Sequence, residues 1–160
     1  MSIPVTPMVK RIVIVNVIIW FVFQVIVEQY FMQQKWITYY FGLTPLSVVQ
    51  DFYLWQPLTY MFLHSTSVLH ILMNMMGLWF AGSELEMRWG SRMFLIYYLL
   101  TGIGAGLIYV FGIVVHSLIT GHPTGLSIPV VGASGSIFAL LLAYGIFFGD
   151  RIFYFMFIFP

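Results

Sequence analysis

Gly132-Ala133-Ser134-Gly135-Ser136-Ile137-Phe138-Ala139-Leu140-Leu141-Leu142-Ala143-Tyr144-Gly145-Ile146-Phe147-Phe148 is an apolar run opened by a serine between glycines. From Ser134 it covers about 15 residues, roughly 22 Å of helix, whereas a hydrocarbon core is about 30 Å thick. In a membrane, one end of such a helix must stop below the surface. The rest of the chain points to that setting: 61% of residues are hydrophobic, 7% are charged and the mean hydropathy is +0.98. A soluble domain carries roughly 25% charged residues. The expected class is an all-α, polytopic membrane helix bundle. Its 160 residues form one domain at most, because spans of about 20 residues use nearly all of them. A net charge of +1 without a basic patch gives no reason to expect nucleic acid. The absence of cysteine excludes disulfides and a thiol nucleophile.

Charge interruptions divide the chain into spans. Residues 1–11 are too polar for a signal-peptide core and read as a cytoplasmic N-terminus, with the transmembrane domain occupying 12–160. Ile12 to Val27 is the first span, ending at Glu28. Gln29 to Pro57 mixes Tyr30, Lys35, Trp36, Tyr39, Tyr40, Tyr53 and Trp55 with short apolar pieces, the pattern of an interfacial loop with short helices. A second span runs from about Ser67 to Met87, closed by Glu84, Glu86 and Arg88, and a third from about Met93 to Val115. Gly102, Gly104 and Gly106 give the third a thin face for close packing. A Gly- and Pro-rich loop from His116 to Val131 leads into the fourth span at Ser134, and Ile152 begins a fifth.

Five of the six basic residues fall at alternate junctions: Lys10 and Arg11, Arg88 and Arg92, and Arg151. The positive-inside rule makes those junctions cytoplasmic and the loop before Ser134 external. Asp150 and Arg151 then anchor the inner end of span four, so its shortfall lies at the outer end. Ser134 is expected several ångströms inside the membrane, reached from outside. His70 and Asn74, four residues apart, share a helix face near the outer end of span two. Polar groups at that depth face the protein interior or a water-filled cavity. The convergence fits acyl transfer: Ser134 would supply the attacking oxygen, with His70, Asn74 and backbone N–H groups as oxyanion donors.

Blander readings exist for each residue. Ser134 and Ser136 can cap a helix, His70 can be an interior histidine, and Asn74 can bond another helix. Their joint depth favours a site. The triple-glycine segment lacks the Lys-Ser or Lys-Thr of a phosphate loop. No pair of histidines has metal-ligand spacing on one helix, so neither metal nor cofactor is expected.

The residues resemble the rhomboid intramembrane serine proteases. Trp55-Gln56-Pro57-Leu58-Thr59-Tyr60-Met61-Phe62-Leu63-His64 is similar to the family's approach to its second helix, and His70-Ile71-Leu72-Met73-Asn74 matches its H-x-x-x-N motif. Glu86 and Gly90 match its E-x-x-x-G turn, and Gly132-Ala133-Ser134-Gly135 its G-x-S-G motif. The resemblance covers the chain from Ile12 onward. It implies a six-helix core that cleaves transmembrane substrates in or near the lipid bilayer. Ser134 would be the nucleophile, with His70, Asn74 and the Ser134 amide forming the oxyanion hole. Glu86 and Arg88 would belong to a polar network at the inner end of span two. Phe138 takes the place of an aromatic residue that stacks on the catalytic histidine.

The family's general base, a histidine on the sixth helix, has no counterpart before Pro160. The expectation is therefore a C-terminally truncated rhomboid domain with four complete spans and the start of a fifth, itself inactive. His64, His116 and His122 are expected in outer loops or at helix ends, away from that role. A stripe of Gly135, Ala139 and Ala143 is expected to receive the missing helix. The implied function is a serine endopeptidase with transmembrane-protein substrates, in the cell (inner) membrane. The alternative is an inactive rhomboid-like protein that binds or routes membrane clients.

Overall fold

The computed structural model describes residues 4–148. Asp150, Arg151 and the run from Ile152 to Pro160, assigned above to the end of span four and the start of a fifth, lie outside the described residues. The described chain is almost entirely helical. Helix α1 (Pro7–Ile18) continues without a break as a π-helix, Ile19–Met32. Three short helices follow: α2 (Trp36–Phe41), α3 (Pro45–Val49) and α4 (Gln56–Thr59), the last extended by a 3₁₀ turn at Tyr60–Phe62. Three long helices complete the fold: α5 (Val68–Trp89), α6 (Ser91–Thr120) and α7 (Ser134–Phe148).

Two of these helices are long and apolar enough to cross a membrane, Pro7–Met32 with 26 residues and Ser91–Thr120 with 30. Both run past the limits expected from sequence. Glu28 does not end the first; it is buried in the helix, where its carboxylate accepts the Thr38 backbone N–H at 2.8 Å and the Thr38 hydroxyl at 2.7 Å. A charge that caps the next helix need not stop its own. In the same way α6 continues through His116 to Gly121, whose φ of +68° ends it.

Helix α7 packs against α5 and α6, and α1 packs against α5. The core between them is apolar: Leu78, Leu85, Phe94, Tyr98 and Leu140 are fully buried. Glycines set the closest approaches. A Cβ on Gly77 would lie 2.9 Å from Ile137, and one on Gly102 would collide with Met61 and Ser136. Gly106 meets Tyr60 and Leu43, whereas a Cβ on Gly104 would meet nothing within 4 Å among the described residues. The thin face of α6 is thus the i, i+4 pair Gly102 and Gly106.

The aromatic segment between the first long helix and α5 forms a ladder. Trp36 stacks on Tyr40 at 6.1 Å, Tyr40 on Tyr53 at 6.1 Å and Tyr53 on Trp55 at 4.6 Å. Such amphipathic rings suit the headgroup layer. The segment also reaches the loop before α7, through a two-bond antiparallel bridge between Leu43 and Val130, both bonds 2.9 Å, and a bond from the Leu46 N–H to the Leu126 carbonyl.

Candidate active site

That bridge fixes the approach to Ser134. Two residues on from Val130, the Gly132 N–H donates to the Tyr60 carbonyl at 3.0 Å. Gly132 holds φ +131°, a conformation that residues with a side chain rarely adopt. The Tyr60 hydroxyl in turn donates to the Gly102 carbonyl at 2.7 Å, tying this turn to α6. Ser134 then opens α7, where the first-turn N–H groups have no partner within the helix. The two serines of the motif separate at once. Ser136 is fully buried and donates to the Tyr98 carbonyl at 2.7 Å, while Ser134 is exposed.

Gly132 also shows how Ser134 and His70 meet. A Cβ there would lie 3.1 Å from His70 Nε2 and 3.8 Å from Ser134 Oγ. The missing side chain leaves a point flanked by a hydroxyl and an imidazole nitrogen. The other ring nitrogen, His70 Nδ1, receives the Ser65 backbone N–H at 3.2 Å and lies 2.8 Å from the Ser65 hydroxyl. His64 packs its ring on His70 with 5.3 Å between centroids, and both of its own ring nitrogens are buried without a partner among the described residues. Asn74 is buried one turn along α5; its amide donates to the His70 carbonyl at 2.8 Å, and its Oδ1 has no partner among the described residues.

One expectation needs correction. The small-residue stripe is already occupied by α6: a Cβ on Gly135 would lie 2.7 Å from Ala105, and the Ala139 carbonyl accepts the Tyr97 hydroxyl at 2.9 Å. Small residues signal close packing but do not say against what. The uncovered face of α7 is one residue back, where Phe138, Leu142 and Ile146 are 71%, 67% and 73% exposed in line with Ser134. A cavity of about 510 Å³ lined by Tyr97, Leu142, Ala143, Ile146 and others adjoins it. Phe138 therefore points out of the described bundle. Arg88, two residues beyond Glu86 on α5, places its guanidinium over the Phe147 ring at 4.8 Å and the Phe148 ring at 5.8 Å.

Glu86, at the far end of α5, receives the Thr6 hydroxyl, the Met8 and Val9 N–H groups and the Ser91 hydroxyl. It caps α1 and clips the α5–α6 turn, where Gly90 takes φ +79°. Ser65, Trp20 and Gln24 are the site-related residues that sequence reasoning missed. Gln24, a polar interruption of an apolar run, was the signal that pointed to this support.

The family model for the rhomboid domain matches residues 51–160. A comparison with curated proteins returned no match. The matched segment spans more than two thirds of the chain and contains α4 to α7, with Ser134, His70, Asn74 and Glu86 all inside it. An integral membrane protein built of helices, this chain belongs to the rhomboid family.

Proposed function

We propose that the protein is an intramembrane serine endopeptidase acting on transmembrane-protein substrates. The observation that carries this reading is the point beyond Gly132, flanked by Ser134 Oγ and His70 Nε2. A substrate carbonyl oxygen placed there would receive an N–H bond from His70 while its carbon faces the serine. Ser134 Oγ would attack that carbon and lose its proton to a base. The oxyanion would be held by His70, the first-turn amides of α7 and an N–H of Asn74. Collapse would break the C–N bond, the base would return its proton to the departing amine, and water would release the acyl group.

The base would come from a further helix seated on the face of Phe138, Leu142 and Ile146. That face carries the nucleophile and has no histidine of its own. In this reading α1 with its π-helical extension, α5, α6 and α7 are four spans of a multi-pass protein. The N-terminus lies in the cytoplasm and the membrane is the cell's inner one. The two charged ends agree with it: Glu86 joins the start of α1 to the α5–α6 turn, so Lys10, Arg11, Arg88 and Arg92 share one end.

The test uses the natural protein in its own membranes. A fluorophosphonate probe should label Ser134, and Ser134→Ala should lose both the label and cleavage of a transmembrane reporter. A protein that captures the reporter without labelling or cutting it would instead be a client-binding relative.

A further inference from the structure

The Ser65 backbone N–H points at His70 Nδ1 across 3.2 Å. A peptide N–H can only donate, so Nδ1 must be the accepting, bare nitrogen. A neutral imidazole with a bare Nδ1 carries its hydrogen on Nε2. Nε2 is the nitrogen beside the point beyond Gly132. Protonating Nδ1 as well would set two N–H groups against each other, so the same contact opposes the charged ring. The Ser65 hydroxyl, 2.8 Å from Nδ1, can donate to it too.

Ser65 is itself held from the first long helix. The Trp20 indole N–H donates to the Ser65 carbonyl at 2.9 Å. Gln24 clips the preceding peptide on both sides: its Oε1 accepts the His64 N–H at 2.7 Å and its amide N–H donates to the His64 carbonyl. Gln24 is buried in the π-helical part, one turn from Trp20. Together they fix the backbone that faces the histidine.

We infer that Ser65 is a positioning residue that locks His70 in the Nε2–H form, and that Trp20 and Gln24 hold Ser65 in register. The arrangement explains how a histidine in a helix can serve as a dedicated donor rather than a proton acceptor. It makes the outer half of the first long helix part of the site's support. The inference gives a residue-level cause for the oxyanion role proposed above and rests on that reading only for its catalytic meaning.

Nitrogen NMR of the histidine-labelled 160-residue chain in bicelles tests it, with His70→Gln assigning the His70 signals. Nδ1 should resonate as a bare nitrogen and Nε2 as a protonated one, and a coupling across the hydrogen bond should link the Ser65 amide to Nδ1. Ser65→Ala keeps the N–H and should keep that coupling. The double variant Trp20→Phe, Gln24→Leu should lose it and broaden or split the His70 signals, while exposed His122 stays unchanged as a control for folding. Should the double variant unfold, Trp20→Phe alone, which removes one N–H, should weaken the coupling. A protonated Nδ1 in the unaltered chain would overturn the inference. So would a coupling unchanged in the folded double variant, or in folded Trp20→Phe. Failure of Ser134 to take the fluorophosphonate would sink the protease reading and leave the tautomer result standing.

Discussion

Glu86 and Ser134 lie at opposite ends of the bundle, and the polar groups around them are treated differently. His70 and Glu86 are separated by about 24 Å of one helix, α5, at 1.5 Å per residue. At the Glu86 end two hydroxyls and two backbone N–H groups converge on one buried carboxylate. At the Ser134 end the hydroxyl is exposed, Asn74 Oδ1 is unpartnered among the described residues, and Gly132 leaves open the space between serine and histidine. A structural polar cluster satisfies its members, because an unpaired buried group costs about 1–3 kcal/mol. A site that must receive a substrate keeps some of them open. One helix thus carries a clamp at one end and a receptive surface at the other.

The sharpest way to break this contrast is to remove the clamp. Glu86→Ala strips acceptors from four donors and uncaps α1, and should destabilise the protein by roughly 3 kcal/mol or more. Glu86→Gln keeps the shape and one acceptor and should cost clearly less. Unfolding by SDS titration in mixed micelles measures both. An alanine variant as stable as the parent would mean that Glu86 is only decorating the α5–α6 turn.

The clamp and the site were unequally legible in the sequence. Apolar runs placed the long helices, since a lipid-facing helix must be hydrophobic along its length, and the fourth run agrees with Ser134–Phe148 residue for residue. Ends were harder to read. Glu28 looked like a stop because an unpaired charge would be one, but its pairing with Thr38 depends on how the chain returns. The motif residues around Ser134 could be named because their spacing on one helix is local information. The Ser65 to His70 bond, the Tyr60 tether and the side of α7 left bare all depend on which helices become neighbours. Gly135 and Ala139 announced a close contact that turned out to be α6.

Gly90 and Gly132 sharpen the comparison, since each holds a positive φ at its own end, +79° and +131°. Alanine at either position should cost about 1–3 kcal/mol in backbone strain. Their surroundings differ: a Cβ on Gly90 meets nothing within 4 Å among the described residues, while one on Gly132 meets His70 Nε2 and Ser134 Oγ. Gly90→Ala should therefore lower stability and spare fluorophosphonate labelling once the protein is folded. Gly132→Ala should lose stability to a similar degree and labelling altogether. Equal labelling in the two variants would show that the space beyond Gly132 is not where the reacting group sits.

The smallest effects separate two serines only two residues apart. Ser136 fills the approach between α7 and α6 and donates to the Tyr98 carbonyl, so Ser136→Ala should cost about 1 kcal/mol. Ser134 is exposed, and its Oγ makes no hydrogen bond among the described residues, so Ser134→Ala should change stability by no more than about 0.5 kcal/mol. If the alanine variant at 134 proved the less stable of the two, the exposed hydroxyl would be a helix cap after all, and the receptive end of α5 would become a second clamp.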